Sequence, residues 1–339
     1  MNKFSFLLKK LTDKNNLSQK EAALLLEKII AGELNSAQIA AVLTSLRTKG
    51  ETVDEIVGFI KTMRKHMVKI KAHKAIDIVG TGGDRIGTFN ISTASSFVVA
   101  GCNVAVAKHG NRAASSKCGS ADVLENLGVN LNLTPTQLEE VFKKVGIVFL
   151  FAPTFHPAMK IIGPVRKDLG IRTIFNFLGP FLNPAGTKRQ LLGVPNIEIA
   201  QKLSKVAAKL NFTHLLLVTS EDGMDEITTT AKTKVFEIKS TQIRSYFISA
   251  EKYKFKLAKK SDLLGQDAPA NAAILLNILK GEKGPKRDIV LLNSAAALLV
   301  SGKVKNIRSG IILAKKSIDS GSALQTLQKL ITESNKYAK

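Results

Sequence analysis

Apolar residues recur at helical spacing through the first 67 residues. Ala22, Leu25, Leu26, Ile29 and Ile30 follow Ser18-Gln19-Lys20-Glu21, a capping-box pattern in which a Ser at the helix start and a Glu three residues on each satisfy a backbone donor. Gly32 stands just past the end. Thr52 and Glu55 repeat the pattern ahead of Ile56, Phe59, Ile60 and Met63. Between them, Ser36 is expected to cap a helix with Ile39, Ala40, Leu43 and Leu46 on its apolar face and Gly50 at its end. These helices predict a small all-helical domain over residues 1–70. From Ala75 onward, short apolar runs (Ile76 to Val79, Val104 to Ala107, Ile147 to Phe151, Leu215 to Thr219) alternate with helical periodicities such as Ile199, Leu203, Val206, Ala207 and Leu210. Strands alternating with helices pair in parallel, so residues 75–339 read as an α/β domain with a mostly parallel central sheet. Residues 234–257 read as extended, with Lys252, Lys254 and Lys256 alternating against Tyr253, Phe255 and Leu257 as a solvated and a buried strand face. Residues 271–335 return to helices, and Asn293 to Leu299 is too apolar for a surface one.

Composition narrows the class. In 339 residues, 45% are hydrophobic, ample for a real core, and no run of about 18 apolar residues suggests a membrane span. The N-terminus lacks a secretory pattern, and Cys102 and Cys118 are too few for a disulfide framework, so a cytoplasmic location is expected. A net charge of +23 suits polyanionic partners, but the lysines are spread out and read first as a solvated surface, with nucleic acid a poor candidate.

Between Ile76 and Leu127 lie two loops rich in Gly and small polar residues, each leaving a strand and entering a helix. The first is Asp77-Ile78-Val79-Gly80-Thr81-Gly82-Gly83-Asp84, followed by Asn90-Ile91-Ser92-Thr93. The second is Lys108-His109-Gly110-Asn111-Arg112, followed by Ala113-Ala114-Ser115-Ser116-Lys117-Cys118-Gly119-Ser120-Ala121-Asp122. Gly lets the backbone approach phosphate oxygens without a Cβ in the way, and helix starts offer free N–H groups, so phosphate is the expected ligand. Gly80, Gly82 and Gly83 can wrap a diphosphate, and Asp84 can hold a metal-bound water or a sugar hydroxyl. Ser92 can cap its helix or ligate Mg²⁺. The spacing matches neither a Walker A loop nor a dinucleotide fingerprint.

Lys108 and Arg112 supply charge, Asn111 an amide, and Ser115, Ser116 and Ser120 hydroxyls; Ser120 can equally cap the helix that carries Val123, Leu124 and Leu127. His109, beside Lys108, has little reason to hold a proton and reads as packing rather than as a general base. Asp225 and Glu226 follow the strand Leu215 to Thr219, where they can ligate Mg²⁺ or form a solvated acidic turn. Arg166, the one Arg on a helix with apolar neighbours, can bind a carboxylate bidentately or decorate a surface.

Taken in order, these segments, with His156-Pro157-Ala158-Met159 and Gly163-Pro164-Val165-Arg166, closely resemble the anthranilate phosphoribosyltransferase family over nearly the whole chain. The resemblance implies a fold of the nucleoside phosphorylase/phosphoribosyltransferase type, in which a returning segment near 165–185 joins the N-terminal helices and homodimers form through the helical domain. It implies that phosphoribosyl pyrophosphate (PRPP) is held by Gly80, Gly83, Asp84, Thr88, Asn90, Ile91, Ser92, Thr93, Lys108, His109, Gly110, Asn111, Arg112, Ala113, Ala114, Ser115, Ser116 and Ser120. Anthranilate would fall to Gly80, Asn111 and Arg166, and Mg²⁺ to Ser92, Asp225 and Glu226. Arg85 and the pair Ala113-Ala114 depart from the commoner family residues, and no covalent or acid-base catalytic residue is implied. The expected activity is transfer of the phosphoribosyl group to the amine of anthranilate, in tryptophan biosynthesis. A pyrimidine nucleoside phosphorylase would need a different Gly-rich signature. A non-catalytic nucleic-acid binder would be expected to lose the Gly80 loop or the Asp225-Glu226 pair, and both are present.

Overall fold

The computed structural model describes residues 3–82, 86–113 and 118–338. Four helices come first: α1 (Lys3–Thr12), α2 (Gln19–Ile30), α3 (Ser36–Lys49) and α4 (Val53–His66). The boxes at Ser18/Glu21 and Thr52/Glu55 close as expected. The cap of α3 is Asn35, not Ser36: its side chain accepts from the Gln38 N–H, and the Gln38 side chain returns the bond. Asn is at least as good a cap as Ser, and Gln38 completes a box one residue earlier.

The rest alternates strand and helix: β1 (Asp77–Gly80), α5 (Ile91–Ala100), β2 (Val106–Gly110), α6 (Ser120–Asn126), α7 (Pro135–Val145), β3 (Ile147–Phe151), the single turn α8 (Ala152–Phe155), α9 (Met159–Leu169), α10 (Phe175–Leu178), β4 (Arg189–Gly193), α11 (Ile197–Lys209) and β5 (Phe212–Ser220). The hairpin β6 (Thr233–Ser240) and β7 (Gln242–Ile248) follows, then α12 (Ala268–Leu279), α13 (Pro285–Ser301), α14 (Ile307–Asp319) and α15 (Ser322–Asn335). Five strands pair in the order β1-β4-β5-β6-β7, parallel up to β5 and antiparallel beyond. β2 and β3 form a parallel pair that meets β1 through one bridge, Ile76 to Val106.

The strand alternation sorts side chains between two cores. On β5, Leu216 and Val218 enter a core built with α5 and α13, while Leu215 and Leu217 enter one that runs through α11 into the N-terminal helices. All four are fully buried, each side chain adding about 1.5 to 3 kcal/mol of apolar burial. Ile162 and Val165 of α9 and Phe175 of α10 belong to the second core, so this segment folds back onto the helical bundle.

The lysine-rich segment is not the expected strand. A short 3₁₀ turn covers Ala250–Tyr253, Lys254 takes a left-handed conformation (φ 65°), Phe255 is buried and Leu257 is exposed. The reversal at Lys254 breaks the two-residue alternation. Among the described residues no helix is long and apolar enough to cross a membrane, and Cys102 and Cys118 are both buried and free.

Candidate functional site

Parallel strands deliver their carboxyl ends to one side of a sheet, and ligands of open α/β sheets bind there. Gly80, Gly110, Gly193 and Ser220 end β1, β2, β4 and β5. Lys108, near the end of β2, is buried. Its Nζ donates to Ile78 O at 2.6 Å and to Ser92 Oγ at 3.1 Å, which brings both Gly-rich segments to one ammonium. Burial pulls its pKa below the ordinary lysine value, and the carboxylates of Asp77, Glu226 and Asp225 act against that pull.

Ser92 does not cap α5. The N-cap position is Asn90, which makes no side-chain cap bond; its Oδ1 accepts from Asn271 instead. The Ser92 hydroxyl thus faces Lys108. The acidic turn divides into two parts. Asp222 is tied inward, accepting from the hydroxyls of Ser220 and Thr230, while the Ser220 hydroxyl also pins the Met224 N–H at 2.7 Å. The charges of Asp225 and Glu226 act on the lysine, and Asp225 Oδ2 accepts from the Gly82 N–H at 3.0 Å.

Two glycines make room for this turn. Gly80 and Gly193 are register partners. A Cβ on Gly80 would stand 2.5 Å from Asp225 Oδ2, and one on Gly193 would stand 1.6 Å from Asp225 O. Gly193 carried no signal in the sequence, because its role exists only when β1 and β4 pair.

The donor set suits Mg²⁺. Among the described residues no group of three or more His, Cys, Asp or Glu forms a closed cage. Two adjacent carboxylates, one of them bonded to the Gly82 N–H, offer hard oxygen ligands of the kind an ion that keeps water takes.

Other expected residues fall as follows. Thr88 is bridged to Leu264, Ile91 opens α5 in the core, and Thr93 is buried with its hydroxyl unpartnered. Ser120 is the first residue of α6 and not its cap; Asp122 accepts from the Gly119 and Ala113 N–H groups at 2.8 and 3.1 Å and closes that helix start. Asn111 Oδ1 accepts from the Arg112 N–H, and the Arg112 guanidinium pairs with Glu125 and Asp122. Gly83, Asp84, Ala114, Ser115 and Ser116, with Arg85 and Lys117, lie outside the described residues.

His109 is turned into the core. Its ring meets that of His156, Nε2 to Nε2, at 3.1 Å. Burial keeps both neutral at ordinary pH, with pKa values lowered to about 3 and about 4. A base committed to this pair is a packing group, not a proton acceptor for substrate.

Arg166 is half-buried on α9, its guanidinium carbon 5.6 Å from the Phe175 ring centroid and its Nε buried without a partner. Burial lowers its pKa, and no acid neutralises it among the described residues. A half-buried cation whose buried Nε has no acceptor calls for an anion. No hydrogen bond joins it to Asn111 among the described residues. Arg172, just past α9, donates through Nη2 to Gly82 O at 3.3 Å and ties this segment to the first loop. Sequence reading gave Arg172 no role.

Two family models cover the chain: a glycosyl transferase family helical bundle domain over residues 6–67 and a glycosyl transferase family a/b domain over residues 72–324. The anthranilate phosphoribosyltransferase of Acetivibrio thermocellus is 49% identical over 97% of this chain and 96% of its own, and that of Methanobrevibacter smithii 46% identical over 96% and 98%. The crystal structure of the Thermus thermophilus anthranilate phosphoribosyltransferase superposes with a TM-score of 0.91 at 38% identity, over 97% of this chain and 99% of that one. The Saccharomyces cerevisiae enzyme, solved in complex with PRPP and Mg, superposes at 0.90 with 28% identity over 98% of each chain.

Proposed function

The chain belongs to the anthranilate phosphoribosyltransferases, and from that premise we propose how its residues divide the work of a pentosyltransferase. In the reaction the amine nitrogen of anthranilate attacks the anomeric carbon of PRPP. The C–N bond forms, the C–O bond to diphosphate breaks, and the amine loses a proton. An arylamine is already neutral near pH 7, so orientation and neutralisation of the leaving diphosphate matter more than a strong base.

PRPP lies across the strand ends, on Gly80, Gly83, Asp84 and Thr88, on Asn90 to Thr93, on Lys108 to Ser116, and on Ser120. Lys108 meets the diphosphate as it gains charge. Ser92, Asp225 and Glu226 would hold Mg²⁺, which would supply further neutralisation of the phosphates. Anthranilate is oriented through its carboxylate by Arg166, with Asn111 and Gly80 beside it. Arg166 is ready for that task because its guanidinium lies over the Phe175 ring and its Nε has no other partner.

We assign residues 1–70 with the returning 165–185 segment to one unit and 75–339 to the PRPP-binding unit. A cytoplasmic homodimer forms through the helices, where Phe6 of α1 is half exposed. The observation that carries the reading is Lys108, buried with its ammonium on Ile78 O and Ser92 Oγ, where the charges of Asp225 and Glu226 act on it. Phosphorus NMR tests it: diphosphate should appear from PRPP only when anthranilate and Mg²⁺ are both present, and release without anthranilate would oppose it.

A further inference from the structure

We propose that Asp77, a buried residue to which the reaction assigns nothing, is the positioning residue of Lys108; this rests on Lys108 being the group that meets the diphosphate. Asp77 is fully buried at the first position of β1. The β1 and β2 backbones pair only at their start: the Ile76 N–H donates to Ala105 O at 2.9 Å, and the Ala107 N–H donates to Ile76 O at 2.9 Å. In a parallel ladder the Ile78 N–H would next go to Ala107 O, and the next β2 donor, the His109 N–H, to Ile78 O. It goes instead to Asp77 Oδ1 at 3.2 Å. The side chain stands in for a backbone acceptor and ends the ladder one step early. Ile78 O is thereby released, and the Lys108 ammonium takes it at 2.6 Å, between the two strands and 3.1 Å from Ser92 Oγ.

The carboxylate is itself fixed from two further elements. The Asn183 side-chain amide donates to Asp77 Oδ2 at 2.8 Å and to Ala107 O at 2.8 Å, bridging the gap where the strands part. The Gln190 amide of β4 approaches Oδ2 at 3.5 Å. Asp77 is also the strongest opposite charge acting on Lys108, ahead of Glu226 and Asp225. One carboxylate therefore does two things for the lysine: it frees the carbonyl that anchors the ammonium and supplies a counter-charge behind it. A purely structural acid would need neither outcome.

The test is a double-mutant cycle on steady-state kinetics, with Asp77→Asn, Lys108→Met and the double variant. Asp77→Asn keeps an oxygen for the His109 N–H but loses the charge. Its kcat/KM for PRPP should fall at least about tenfold, the scale of a hydrogen bond to a charged group, while the KM for anthranilate stays within about twofold. The double variant should be no worse than Lys108→Met alone. Additive losses, or full activity of Asp77→Asn beside an impaired Lys108→Met, would overturn the inference about Asp77. Full activity of Lys108→Met would overturn the reading of Lys108 itself. Should Asp77→Asn fail to fold alone, thermal unfolding of the other two decides: Lys108→Met leaves Asp77 buried without its counter-charge, so the double variant should melt higher than Lys108→Met. Equal or lower melting would count against the pairing.

Discussion

Replacing Arg166 by Ala should weaken capture of anthranilate and little else. The perturbation removes a guanidinium that stacks 5.6 Å from the Phe175 centroid, whose Nε is buried and unpartnered. When the substrate carboxylate arrives, the bond formed is charge-assisted, on the order of 1.5 to 3 kcal/mol. Because the residue is only half-buried, the lower end applies. At roughly 1.4 kcal/mol per decade, the KM for anthranilate should rise about tenfold. The lost ring contact costs up to about 1 kcal/mol of stability, a separate effect visible in thermal unfolding. The assay is steady-state kinetics with one substrate varied while the other saturates. PRPP kinetics should move less than about twofold. Equal movement of both Michaelis constants would show Arg166 to be a structural residue, and the anthranilate assignment would fail.

Asp225→Asn with Glu226→Gln should fold normally, as followed by circular dichroism, and lose turnover through weakened Mg²⁺-diphosphate binding; unchanged turnover at limiting Mg²⁺ would refute the metal assignment. Gly193→Ala drives a methyl group to within 1.6 Å of Asp225 O, so the turn must shift and turnover should fall in the same Mg²⁺-dependent way. Acid should destabilise the fold through the histidine pair. Unfolded histidines protonate near 6.5, whereas His109 and His156 hold off to about 3 and about 4, so stability falls as pH drops from about 6.5 toward 4. Asp77, raised to about 6 by burial, and Asp288, also raised by burial, oppose this, while His214, lowered by burial, adds to it. The Tm should therefore decline across that window, and His156→Gln should flatten the slope; an unchanged slope would remove the pair from the account. Replacing Lys252, Lys254 and Lys256 by Gln should leave turnover unchanged, and any DNA or RNA affinity of the parent should vanish at physiological salt. Tight binding that survives salt and is lost with those lysines would show a second activity.

What could be read from the chain was what local physics decides. Capping boxes at Ser18 and Thr52 need only their own helix, and the Asn35/Gln38 box was equally visible one residue before Ser36. The carboxyl-end loops were legible because Gly and small polar residues after a strand have few other uses. What escaped depended on pairing across the sheet. β4 is five residues long and means little without β1 and β5 on either side. Gly193 matters only opposite Gly80, and Asp77 looks like an ordinary strand start until β2 parts from β1. Arg112 read as a phosphate cation, yet α6 brings Asp122 and Glu125 within its reach. The lysine alternation at 252–256 failed because a left-handed residue at Lys254 interrupts a period that the sequence alone sustained.

Transfer of the phosphoribosyl group from PRPP to anthranilate is the activity assigned to the crevice at the strand ends. Anthranilate fluorescence measures it directly. Mixing the protein with Mg²⁺, PRPP and anthranilate should quench that fluorescence continuously, at a rate proportional to protein, with no loss when PRPP or Mg²⁺ is omitted. Stable fluorescence in the complete mixture, with folded protein, would contradict the account.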